Sequence, residues 1–178
     1  MNLKNYIRDV PDFPKKGILF RDIAPLLASP VALAYVIDNI ATKPMYADVD
    51  KIVGLDARGF IFGAAIAYKL QKPFVMVRKE GKMPNANARI DYDLEYGTNT
   101  FEMQLDSIKF HDKVLLVDDL LATGGSIGAV ATLVKSLHAT IVGFECIIEL
   151  ADLKGRDALD MPVHAQIIYS STSDNENE

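Results

Sequence analysis

The sequence has no tryptophan, a single cysteine and three histidines. One cysteine excludes an intramolecular disulfide, and Cys146, inside the apolar run IVGFECII, reads as a buried strand residue rather than a reactive thiol. His111, His138 and His164 are scattered, with no cysteine or carboxylate at ligand spacing, so neither a zinc site nor a catalytic histidine is expected. Long hydrophobic runs are missing too. The longest apolar stretch, 59–68, is about half of what crosses a bilayer, and the opening MNLKNYIRDVPDF lacks the apolar core of a signal peptide. The expectation is a cytoplasmic protein with no membrane partner. Basic charge is also scarce: 19 Lys and Arg stand against 24 Asp and Glu, a net charge of −5. That argues against nucleic acid as a partner, since coating it needs a basic face that releases counterions.

What is present suits one domain with a sizeable core: 178 residues, 49% of them hydrophobic. Only the tail 170–178, SSTSDNENE, has nothing to bury and is expected to be disordered. Upstream, KIVGLD (51–56), PFVMV (73–77), KVLLVD (113–118), ATIVGFECII (139–148) and AQIIY (165–169) are short runs of the kind buried on both faces of a parallel sheet. Between them lie helical patterns. Ser29 and Pro30 supply an N-cap and a first helical residue, and Leu33, Val36, Ile37 and Ile40 follow on one face. Further helices are expected over 59–70 and over 126–138, the latter with a stripe of Ile127, Val130, Val134 and Leu137. In TFEMQL (100–105), apolar Phe101, Met103 and Leu105 alternate with polar residues, which predicts a half-exposed antiparallel strand in a flap over the sheet edge.

The stretch VLLVDDLLATGGS (114–126) runs from a strand into a glycine loop and then a helix. In a parallel α/β sheet, ligands bind beyond the carboxyl ends of the strands. Gly124 and Gly125 permit close approach of the backbone, Thr123 and Ser126 offer hydroxyls, and the free N–H groups of the next helix favour an anion. The local alternative is a plain strand–helix turn with Ser126 as N-cap. No lysine follows the glycines and GxGxxG is absent, which excludes a Walker A loop and a dinucleotide fingerprint. Asp118 and Asp119 at the lip are costly to bury unless hydroxyl donors or a cation meet them. A ligand with a phosphate at one end and a diol in its middle satisfies both halves, which describes a 5-phosphoribosyl group.

Two basic stretches accompany this loop. GLDARGF sets Asp56, Arg58 and Gly59 between a strand and a helix, where an arginine suits a dianion; a surface Arg–Asp pair is the plainer alternative. VRKEGKMP places Arg78, Lys79 and Lys82 within five residues, either a solvated face or the root of a lid running through PNANARID.

Taken together, FPKKGILFRDI (13–23), GLDARGFIFG (54–63), VRKEGKMP (77–84), YDLEYGT (92–98), VDDLLATGGS (117–126) and ELADLKGRDAL (149–159) resemble the type I phosphoribosyltransferases, in that family's order and up to about residue 169. Among its branches they are most similar to the adenine-using one. The resemblance implies an α/β fold: a central parallel β-sheet flanked by helices, with a small N-terminal hood (about 1–30) and an antiparallel flexible-loop flap (about 78–105), in a single domain over 1–178. It implies transfer of the phosphoribosyl group from phosphoribosyl pyrophosphate to adenine, giving AMP and pyrophosphate. The cofactor would be a magnesium ion held mainly by substrate phosphates, ribose hydroxyls and water, and the assembly a homodimer.

Residue roles follow from the same resemblance. Asp118 and Asp119 would hold the ribose, and Ala122, Thr123, Gly124, Gly125 and Ser126 the 5′-phosphate. Asp56, Ala57, Arg58, Arg78, Lys79 and Lys82 would take the pyrophosphate, with a cis peptide between Asp56 and Ala57. Glu95, Tyr96 and Arg58 would be catalytic, with Tyr92 closing from the lid. Leu19, Phe20, Arg21 and Leu120 would frame adenine. Locally, Glu95 also fits an exposed turn before Gly97, and Phe20 and Leu120 fit ordinary core. Relatives that use 6-oxopurines carry an acidic residue where this chain has Ala122, which speaks against a xanthine or hypoxanthine–guanine enzyme. A purine-responsive regulator of the same fold would add a DNA-binding extension, for which this acidic chain leaves no room.

Overall fold

The computed structural model describes residues 1–94 and 97–171, the side chains of 93, 94, 97 and 98 excepted. After a 3-10 turn (Leu3–Tyr6), an antiparallel hairpin forms from β1 (Arg8–Pro11) and β2 (Leu19–Asp22). Then come α1 (Ala24–Ala28), α2 (Pro30–Ala41), β3 (Lys51–Leu55), α3 (Gly59–Leu70) and β4 (Phe74–Lys79). β5 (Ala88–Leu94), β6 (Gly97–Met103), β7 (Lys113–Leu121), α4 (Gly125–Ser136), β8 (Thr140–Leu150) and β9 (Val163–Tyr169) complete the chain.

One seven-stranded sheet carries the fold, in the order β5-β6-β4-β3-β7-β8-β9. β4, β3, β7, β8 and β9 are mutually parallel, and β6 and β5 extend the β4 edge antiparallel. Successive side chains on a strand point to opposite faces, so each interior strand feeds two cores. Val53, Leu116 and Phe144 pack with Ile127, Val130 and Val134 of α4. Ile52 and Leu115 pack with Val36 and Ile40 of α2 and with Phe62 and Ile66 of α3. All of these are essentially removed from water, and each contributes roughly 1.5–3 kcal/mol by burial. α2 starts as its sequence predicts, the Ser29 side chain accepting the Ala32 N–H at 3.3 Å. No helix among the described residues is long and apolar enough to cross a membrane.

The structure corrects three local expectations. α4 begins at Gly125 with Gly124 as its N-cap, not at Ser126, and ends at Ser136. Leu105 leaves β6 for a 3-10 turn and is 42% exposed, so the alternation of TFEMQL stops at Met103. Glu102, the polar member expected to face water, is 1% exposed, because Gly81 of the turn after β4 and Arg89 of β5 come to meet it. β5 and β6 form the expected antiparallel pair, added to the β4 edge of the sheet. Of the tail 170–178 expected to be disordered, Ser171 is held, its N–H donating to Asp152 Oδ2 at 2.9 Å, and 172–178 lie outside the described residues.

Candidate active site

The carboxyl ends of β3, β4 and β7 border a cleft of about 440 Å³. Asp56, Ala57 and Arg58 enter it from the turn after β3, and Lys79 from the last position of β4. Tyr92, Asn99 and Phe101 line it from the β5–β6 edge, and Asp118, Asp119, Leu120 and Ser126 from β7 and the start of α4. A smaller recess of about 160 Å³ adjoins it, lined by Asp118 and by 120–127, with Asp118, Leu120 and Ser126 common to both.

The acidic pair lies where the strand delivers it. Asp119 is 5% exposed, while Asp118 is half-buried overall with its carboxyl deep in the wall. The Asp119 N–H donates to Asp118 Oδ1 at 2.8 Å. Gly59, at the start of α3, packs so closely on β7 that a Cβ there would fall 2.7 Å from the Val117 carbonyl oxygen and 2.9 Å from Asp118 Oδ1. The positive end of α3 thus faces an aspartate. Arg58 Nε lies 2.9 Å from Asp119 Oδ2, an ion-pair distance out of line for a hydrogen bond, so that buried oxygen has no hydrogen-bond partner among the described residues. Burial pushes the Asp118 carboxyl well above the usual aspartate range, and the neighbouring Asp119 charge adds to it. Burial raises Asp119 as well, against the lowering pull of Arg58. Such a pair calls for hydroxyl donors or a cation.

The glycine loop turns at Gly124, φ +87°, and no side chain caps the first turn of α4, which leaves its N–H groups for an anion. Behind the loop sits Gly155, which sequence reasoning did not single out. A Cβ on Gly155 would lie 2.1 Å from the Ala122 carbonyl oxygen, and one on Gly124 would lie 2.7 Å from the Gly155 oxygen. Two backbones pack directly here. Arg156 secures this support through Glu149, with Nε to Oε1 at 3.0 Å, and donates to the Val163 carbonyl. The signal for it lay in the block ELADLKGRDAL, whose Gly-Arg dipeptide supplies both elements.

On the opposite side, Arg78 Nε is 3.4 Å and Lys82 Nζ 3.9 Å from Asp56 Oδ2, and Arg78 Nη1 donates to the Lys82 carbonyl at 2.9 Å. Arg78 and Lys82 are thus tied to the cleft through Asp56, whereas Lys79 lines it directly. The Asp56–Ala57 peptide is cis. Tyr92 stands in the cleft wall, its ring nearly parallel to Phe101 with centroids 4.9 Å apart. Phe20 of the hood reaches the cleft rim through Arg58, whose guanidinium lies 5.3 Å from its ring centroid. Phe13 meets Phe20 edge-on at 5.1 Å. Leu19 is exposed, and Arg21 stacks over Tyr169 at 3.7 Å and pairs with Asp9, so neither lines the cleft. Glu95 and Tyr96 lie outside the described residues. Asn99 is a further wall residue that the sequence did not signal.

Chemically, the cleft offers an anion site, an acidic pair and a cationic turn in series. Residues 26–165 match the phosphoribosyl transferase domain family. The adenine phosphoribosyltransferase of Nostoc punctiforme is 49% identical over 172 residues, covering 95% of this chain and all of that protein. The crystal structure of the adenine phosphoribosyltransferase of Thermoanaerobacter pseudethanolicus superposes with a TM-score of 0.90 at 43% identity, over 94% of this chain and 98% of that one. That of Trypanosoma brucei, in complex with AMP, pyrophosphate and ribose-5-phosphate, gives a TM-score of 0.82 at 27% identity, over 93% and 78%. With its parallel sheet, acidic pair and glycine loop in that setting, the chain belongs to the adenine phosphoribosyltransferases.

Proposed function

We propose that the protein transfers the 5-phosphoribosyl group of phosphoribosyl pyrophosphate to N9 of adenine, a purine-salvage step that releases AMP and pyrophosphate. The observation that carries this is the convergence of Asp118, Asp119, Arg58, Lys79 and Ser126 on one cleft at the carboxyl end of a parallel sheet. The C1′–N9 bond forms as the C1′–oxygen bond to pyrophosphate breaks, and its electron pair leaves with the pyrophosphate. The N9 proton passes to Glu95, beside Tyr96. Asp118 and Asp119 accept the ribose hydroxyls, and their negative charge favours the cationic sugar of an oxocarbenium-like transition state. N–H groups of 122–126 hold the 5′-phosphate. Asp56, Ala57, Arg58, Arg78, Lys79 and Lys82 receive the pyrophosphate, with Tyr92 closing the cleft. Phe20 and Leu120 cover adenine, and the backbone at Leu19 and Arg21 reads its edge.

A magnesium ion suits this donor set. The acidic pair is raised in pKa, and Asp119 Oδ2 lacks a hydrogen-bond partner among the described residues. Among the described residues no group of three His, Cys, Asp or Glu could hold the ion alone. It would be held by pyrophosphate, ribose and water oxygens beside Asp118 and Asp119. When bound, it neutralises charge on the departing pyrophosphate. A charged, activated sugar does not cross bilayers unaided, which supports a cytoplasmic location. Ile61, Ala64 and Tyr68 form an exposed apolar stripe on α3, next to the Arg58 loop, and suit a homodimer contact. The test is to incubate the protein with magnesium, phosphoribosyl pyrophosphate and each purine base in turn, then separate the nucleotides. AMP from adenine, and little nucleotide from hypoxanthine, guanine or xanthine, is expected. No AMP would refute the assignment.

A further inference from the structure

A carboxylate that is 1% exposed is costly unless charged or N–H groups meet it, and Glu102 is met from two directions. Its Oε2 accepts the Gly81 N–H at 3.0 Å. Its Oε1 stands 3.0 Å from Arg89 Nη2, out of line for a hydrogen bond. In strand register Glu102 of β6 stands between Arg78 of β4 and Arg89 of β5. Gly81 lies in the turn after β4 and Arg89 near the start of β5, so one buried side chain ties that turn to the strand that follows it.

The Gly81 end carries the cations. The Lys82 N–H donates to the Lys79 carbonyl at 3.2 Å, and the Glu80 N–H to the Thr100 carbonyl at 3.0 Å. These bonds close a tight turn around Gly81, whose φ of +75° is one that residues with a side chain rarely adopt. That turn sets Arg78 and Lys82 against Asp56, and Lys79 in the cleft.

We propose that Glu102 is a positioning residue for the pyrophosphate half of the site: by gripping Gly81 and Arg89 it sets the 79–82 turn so that its cations meet the substrate's pyrophosphate. This rests on the pyrophosphate role given to Arg78, Lys79 and Lys82. The experiment compares Glu102→Ala and Glu102→Gln with the unsubstituted protein, reading KM for phosphoribosyl pyrophosphate, KM for adenine and kcat. Glu102→Ala is expected to raise the first KM about tenfold and to leave the second within about twofold, the loss of a charge-assisted anchor. Glu102→Gln keeps an acceptor for Gly81 and falls between, and it decides the matter if the alanine variant does not fold. An equal rise in both KM values, in step with a lower melting temperature, would overturn the proposal in favour of a purely structural role. Limited trypsin digestion, with fragments read by mass spectrometry, reports on the 78–89 segment without reference to catalysis. Faster cleavage there in Glu102→Ala supports the grip, and unchanged cleavage overturns it. Faster cleavage with an unchanged KM for phosphoribosyl pyrophosphate would instead sink the pyrophosphate role of the turn.

Discussion

Arg58 Nε lies 2.9 Å from Asp119 Oδ2, joining the turn after β3 to the end of β7. The arginine side chain is 38% exposed and the carboxylate 7%, so the pair adds little to stability, at most about 1 kcal/mol. Its value lies in the charge it presents to the cleft. Arg58→Met should lower kcat/KM for phosphoribosyl pyrophosphate by about 10²-fold, with the melting temperature changed by no more than a few degrees. Steady-state kinetics beside a thermal melt check this; a large drop in melting temperature with near-normal kinetics would reverse the assignment.

The acidic pair makes the opposite trade. Both carboxyls have raised folded-state pKa values, so the folded chain holds protons that the unfolded chain has released. The stability tied to these protons is present below the ordinary aspartate value and is lost as pH rises through the raised one. Asp118→Asn removes that loss. It should raise the melting temperature by a few degrees at neutral pH, with the gain shrinking towards about pH 4. Activity should nonetheless collapse, because an amide cannot match a carboxylate as acceptor for ribose hydroxyls. Melts across pH check the sign; a destabilised variant at neutral pH would contradict it.

Gly155→Ala tests the support under the phosphate loop. A methyl group would fall 2.1 Å from the Ala122 carbonyl oxygen, so the loop or the 155–158 turn must shift. Overpacking of this kind costs about 1–3 kcal/mol. The melting temperature should fall, and KM for phosphoribosyl pyrophosphate should rise more than KM for adenine. Equal changes in the two constants would mean that Gly155 matters to the fold and not to the loop.

Glu95→Gln tests the proton carrier. General acid–base groups contribute about 10²–10⁴-fold, so kcat should fall by that order with both KM values nearly unchanged. An unaltered kcat would return Glu95 to an exposed turn residue.

The parallel strands were legible in the sequence because residues such as Ile52 and Val53 are buried on both faces, which leaves an unbroken apolar run. α2 was legible through Ser29 and Pro30. The hood hairpin was not, since β1 and β2 are four residues each with none fully buried, and an Arg8–Asp22 pair stands in place of a core. Of the site, Asp118 and Asp119 could be read, because two carboxylates ending an apolar strand contradict ordinary burial. Gly155 and Glu102 could not be read from local pattern. Each acts through a contact with a segment distant along the chain, Ala122 in one case and Gly81 in the other. Alternation along β6 even pointed Glu102 the wrong way.

The central claim is that the aspartates hold the sugar while the glycine loop holds its 5′-phosphate. A crystal structure of the protein with magnesium and ribose 5-phosphate, or with AMP, tests this directly. The two ribose hydroxyls should lie within hydrogen-bonding distance of Asp118 and Asp119, and the phosphate on the N–H groups of 122–126. A phosphate seated instead on Arg78, Lys79 and Lys82, with no sugar contact to either aspartate, would contradict the account.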